Sequence, residues 1–77
     1  MKKLNDTLDL HGVKHALVQK SVDSFIYGHQ ISNTQSIKII TGHSPKMKDL
    51  VNITLLDYGY TSEEDFLNKG QLNVKLY

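Results

Sequence analysis

Apolar and polar positions alternate at 7–10, with Leu8 and Leu10 on one side and Asp9, then His11, on the other. A period of two predicts a short, half-buried strand. Gly12 releases the backbone, and the period then changes. Val13, Ala16, Leu17, Val18, Val22, Phe25 and Ile26 recur mostly at steps of three and four, which predicts an amphipathic helix over 13–27. Gly28 is its expected stop. The polar stretch 29–35 predicts a loop that contains His29. Residues 36–41, SIKIIT, are β-branched and apolar and predict a second, more buried strand. After Gly42 comes a helix start, with Ser44 as cap and Pro45 at the first helical position. Met47, Leu50, Val51, Leu55 and Tyr58 form its apolar stripe, and Gly59 closes it.

The tail alternates again. Leu72, Val74 and Leu76 interleave with Asn73, Lys75 and Tyr77, which predicts a final strand. Residues 60–67 carry both strand and helix signals. The Asn68-Lys69-Gly70 turn behind them favours a hairpin, so 60–67 is expected as a strand paired to 71–76. The resulting order is β-α-β-α-β-β: an α/β fold of two layers with a mixed sheet. Its first two strands are parallel, joined by a right-handed crossover, and both helices lie on one sheet face. Residues 1–6 are expected as a tail and 7–77 as one domain.

Composition narrows the classes. A chain of 77 residues has a thin core. Nine basic residues, all lysine, stand against eight acidic ones, for a net charge of +1. Bulk charge therefore does not indicate a nucleic-acid binder, and any such contact must rest on local placement. There is no cysteine, which excludes disulfides and thiolate metal sites. No apolar run suits a signal peptide or a membrane span. A soluble, cytoplasmic monomer without a membrane partner is expected.

The chemistry gathers at two turns. In a parallel sheet, LDLHG at 8–12 and IITGHSPK at 39–46 end at the same edge, where open α/β sheets bind ligands. That edge would join Asp9, His11, Thr41, His43, Ser44 and Lys46, a set suited to a phosphate ester. Asp9 and His11 point the same way from a strand, so the carboxylate could fix the imidazole's tautomer and make it a general base. The plainer alternative pairs Asp9 with Lys38 and leaves His11 to begin a turn. Lys46 and Lys48 occupy a first helical turn where acids are usual, at a cost of about 0.3–1 kcal/mol each unless an anion binds there. Water around both lysines is the other account. His11 and His15 are spaced for a two-histidine metal pair, but no carboxylate accompanies them, and no metal site is expected. Tyr27, Tyr58 and Tyr60 are expected in the core or at its boundary. Glu63, Glu64 and Asp65 would repel a nucleic-acid backbone and are expected on the rim or the far side.

In this order the motifs resemble the Smr (small MutS-related) domain. LDLHG at 8–12 matches the family's opening, and Ala16 lies in the helix that follows. Ile39 to Gly42 with His43-Ser44 is similar to its second motif, followed by Lys48, Leu50 and Val51. Asn68, Gly70, Val74 and Leu76 match its ending. The resemblance spans roughly 7–77. It implies a fold like that of the C-terminal domain of translation initiation factor 3. It also implies a stand-alone endonuclease that nicks or cleaves DNA or RNA. Asp9, His11 and His43 would be catalytic, with His43 protonating the leaving oxygen. Thr41, Gly42, Ser44 and Lys46 would hold the phosphate. No cofactor is implied for RNA, whereas Mg or Mn would enter for DNA. The second glycine usual after Thr41-Gly42 is absent, as if two loop residues were deleted. That shortening favours the alternative of a DNA- or RNA-binding module that does not cut. A protein-interaction domain is the second alternative.

Overall fold

The computed structural model describes residues 6–76, so most of the expected tail and Tyr77 lie outside the described residues. The elements are β1 (Thr7–Asp9), α1 (His15–Ile31), β2 (Ser36–Ile40), α2 (Pro45–Leu56), β3 (Ser62–Glu64) and β4 (Gln71–Lys75). They form one four-stranded sheet in the order β1-β2-β4-β3. β1 runs parallel to β2, with Leu8 opposite Ile39. β4 is antiparallel to both β2 and β3, so β3 runs parallel to β2. The expected β-α-β-α-β-β architecture with a mixed sheet is the one observed.

Both crossovers, β1-α1-β2 and β2-α2-β3, step in the same direction across the sheet. Crossovers of one hand that step the same way place their helices on the same face. The core lies between that face and the helices. Ile37, Ile39, Leu72 and Val74 come from the sheet. Val18, Val22 and Ile26 meet them from α1, and Met47, Val51 and Leu55 from α2. Leu10 and Leu76 close its ends. In both helices the buried positions follow steps of three or four residues, as their period requires. Thr54 is also buried, and its hydroxyl donates to the Leu50 carbonyl at 3.0 Å.

Several boundaries differ from expectation. α1 does not stop at Gly28. It runs on to Ile31, and the left-handed residue that ends it is Asn33, at φ 57°. Asparagine is among the few residues other than glycine that tolerate this region. The extra turn is held by packing. His29 is buried rather than in a loop, its ring meets Phe25 edge-on at 4.5 Å, and its Nδ1 bonds the Thr34 hydroxyl at 2.7 Å. Gln30 donates to the Tyr60 hydroxyl at 3.0 Å, tying the same turn to the segment before β3. Tyr27 is 66% exposed, not at a core boundary. β1 ends at Asp9, although the Leu10 amide still reaches the Ile40 carbonyl at 2.8 Å.

β3 covers Ser62–Glu64 rather than 60–67. It pairs Ser62 with Val74 and Glu64 with Leu72. Asp65 ends it by folding its carboxylate back onto the loop, accepting from the Leu67 and Asn68 amides, both at 3.1 Å, and from Asn73 Nδ2 at 3.0 Å. No helix among the described residues is long and apolar enough to cross a membrane.

Candidate functional site

The C-terminal ends of β1 and β2 lie side by side because those strands are parallel neighbours. The turns that follow them carry the candidate residues. After β1, Gly12 sits at φ 81° and lets the chain turn into α1. The Asp9 carboxylate accepts from the His11 backbone amide at 2.9 Å, which fixes the turn before that glycine. This bond goes to the His11 main chain. Asp9 makes no salt bridge with Lys38, since the one salt bridge among the described residues joins Lys48 and Glu64. His11 itself is exposed, and its imidazole lies against the second turn: a Cβ built on Gly42 would stand 3.6 Å from His11 Cδ2. The two motifs thus meet.

The second turn is held from the other side by the β3–β4 loop. The Gly70 carbonyl accepts from the Thr41 amide at 2.8 Å and the Gly42 amide at 3.0 Å. Thr41 is buried, and its hydroxyl is within 2.9 Å of the Gly42 carbonyl and 3.3 Å of the Gly70 carbonyl. Thr41 and the Gly42 amide are therefore spent on the fold. They shape the turn through their bonds to Gly70. The approach is close, and a Cβ at position 70 would come within 3.2 Å of Gly42 Cα. Gly42 is itself in the left-handed region, at φ 69°.

Beyond Gly42 the chain enters α2 as expected. Ser44 Oγ accepts from the Met47 amide at 3.1 Å, and Pro45 opens the helix. The Lys48 amide bonds the Ser44 carbonyl at 3.1 Å. Among the described residues, the amides of His43, Ser44 and Lys46 are the unspent donors of this turn. There is no acidic residue in the first turn of α2. His43 and Lys46 are exposed. Lys48 is not: its ammonium pairs with Glu64 of β3 at 3.0 Å, so the cost of a cation at this position is offset within the protein.

Glu64 was not expected here. Its carboxyl is held below the ordinary carboxylate range, first by the hydrogen bond from Lys48 and its charge, and further by Lys69 and His43. The acidic run therefore splits. Glu64 lies close to the site's cations, and Asp65 organises the loop next to it. Asp65 is also shifted down, chiefly by the Asn73 hydrogen bond and the loop amides. The only sequence sign of this is that β3 must lie beside β4, and the sheet order puts it at the edge opposite β1.

The edge thus offers two exposed imidazoles, a lysine, a serine hydroxyl and a helix N-terminus. It can hold an anion and exchange a proton with it. No three His, Asp or Glu side chains converge as a metal-ligand set among the described residues, and His11 with His15 acquires no third partner. The chain matches no protein-family model, no curated protein and no solved structure.

Proposed function

We propose that this domain acts on nucleic-acid phosphodiesters in the manner of the Smr-type endonucleases it resembles. The observation that carries this reading is the contact between the two motif turns. It sets the exposed His11 imidazole against Gly42, at the head of α2. A phosphate on the free amides of that helix start would be held by Ser44 and Lys46 and would lie beside an imidazole. With an RNA strand, His11 takes the proton of a 2′-hydroxyl, that oxygen attacks the adjacent phosphorus, and His43 donates a proton to the departing 5′ oxygen. Atoms and charge balance without a further reagent. With DNA, which has no 2′-hydroxyl, water is the nucleophile.

A second reading is binding without cleavage. Two observations favour it: the Asp9 carboxylate bonds the His11 main chain at 2.9 Å, and the Gly42 amide is taken by Gly70. Incubation with labelled structured RNA and DNA, with and without magnesium or manganese, separates the two. Cleavage that His11→Ala abolishes, with the strand still bound, supports the endonuclease. Retarded intact strands with every substrate support the binding module. Absence of both, together with phosphate-induced amide shifts scattered over the surface rather than grouped at 42–46, would reject both readings.

A further inference from the structure

Phe66 and Leu67 stand at the tip of the β3–β4 loop, 96% and 90% exposed. Two adjacent large apolar side chains in water contribute nothing to the core. Yet the loop that carries them is firmly built. Asp65 accepts from the amides of Leu67 and Asn68 and from the Asn73 side chain, and Asn68 Oδ1 accepts from the Gly70 amide at 3.0 Å. Gly70 then seats the loop on Thr41 and Gly42. The loop is thus fixed to the candidate phosphate turn, and Phe66 is four residues from that contact, at most about 14 Å along the chain. Lys69 lies in the same loop and is exposed.

We propose that Phe66 is a base-stacking side chain, and that the domain takes a strand with an unpaired base next to the phosphate held at 42–46. The proposal rests on the nucleic-acid reading above and names its substrate class. On a loop fixed to the candidate phosphate turn, the exposed ring offers a π face for the base and Lys69 of the same loop a cation for the backbone, while the neighbouring Glu64 carboxylate is paired with Lys48 and that of Asp65 is taken up by Asn73 and the loop amides. A paired base has both faces covered by its neighbours and cannot use the ring. Leu67 extends the apolar platform at the loop tip. The outer faces of the helices also expose apolar residues, including Tyr27, Ile31 and Ile53, but they have no such link to the site.

The test compares a fluorescein-labelled oligothymidine strand with the matching dT·dA duplex, by anisotropy, over a series of salt concentrations. Phe66→Ala should weaken single-strand binding about 5- to 100-fold and leave duplex binding unchanged. The salt slope should stay the same, because no charge is removed. The sequence has no tryptophan, so Phe66→Trp introduces a unique indole. That variant should keep its affinity, and its emission should be quenched by the strand. Because Phe66 is almost wholly exposed, both variants should melt like the wild type.

If Phe66→Ala binds the single strand as well as the wild type while Lys46→Ala binds it less well, stacking is overturned and the phosphate reading stands. If the wild type binds neither probe and neither the corresponding oligouridine strand nor its duplex, both are overturned. If Phe66→Ala instead changes the sedimentation behaviour of the protein with affinity unaltered, the loop is a self-association surface and the proposal is overturned.

Discussion

Gly70 and Gly28 should respond to the same substitution with opposite signs. At position 70 an added methyl would sit 3.2 Å from Gly42 Cα, 3.3 Å from Gly42 C and 3.3 Å from Asn68 Oδ1. Two of these neighbours are main chain, which cannot swing aside as a long side chain can. The loop must back away by a few tenths of an ångström. That movement stretches the bonds from the Thr41 and Gly42 amides to the Gly70 carbonyl, now 2.8 and 3.0 Å. Overpacking of this kind typically costs about 1–3 kcal/mol. For a domain of this size each kcal/mol shifts the melting temperature by about 4–8 °C, so Gly70→Ala should melt about 5–20 °C lower. At position 28 the methyl meets nothing within 4 Å, and the residue lies inside α1. There alanine removes glycine's extra backbone entropy and should stabilise by about 0.5–1 kcal/mol, or about 2–8 °C. Thermal unfolding followed by far-ultraviolet circular dichroism reads both. Hydrogen exchange at the Thr41 and Gly42 amides should quicken in Gly70→Ala alone. If Gly70→Ala melts like the wild type with those amides still protected, the loop does not hold the site turn as described.

Ser44→Ala removes the cap on the Met47 amide and should cost about 1 kcal/mol, which a urea titration would show as a lower midpoint at unchanged slope. Glu64 and Asp65 have folded-state pKa values below the ordinary carboxylate range. Their contribution to stability is therefore full above about pH 4.5 and is lost as the pH falls through the depressed values. Glu64→Gln should make the stability of the protein less sensitive to acid over that interval. Tyr58 is shifted above its usual 10.0, chiefly by its hydrogen bond to Asp23. Its contribution holds up to about pH 10 and fades as the pH rises through the higher folded value. In a spectrophotometric titration, Asp23→Ala should bring one tyrosine back to earlier ionisation.

The legible parts of the fold were those where one physical rule acts alone. The change from a period of two to one near four marked β1, α1, β2 and α2. Ser44-Pro45 marked the start of α2 because capping is a local interaction. α1 runs past Gly28 because residue type alone does not end a helix. Whether glycine stops a helix depends on whether the next turn has something to pack against. Here His29 has Phe25 and Thr34, and Gln30 has Tyr60. Tyr60 is distant in sequence, so no local pattern could show that contact. β3 came out shorter than its apolar content suggested because Asp65 is used by the loop.

At the site, the sequence placed His11 and the second turn on one edge, since neighbouring parallel strands must end together. It did not show that a third segment reaches the same place. β4 lies between β2 and β3, so the β3–β4 loop returns to the C-terminal end of β2. The antiparallel register pairs Ile40 with Gln71, which puts Gly70 directly beside Thr41. Once that register is set, the Gly70 carbonyl is the natural acceptor for the Thr41 and Gly42 amides. The same geometry brings Glu64 to Lys48 and leaves Lys46 as the exposed lysine of the helix start. Gly70 takes the hydrogen bonds of the Thr41 and Gly42 amides, and the amides of His43, Ser44 and Lys46 stay unspent at the helix start. His11, lying against Gly42, is the group of the first motif that meets this turn.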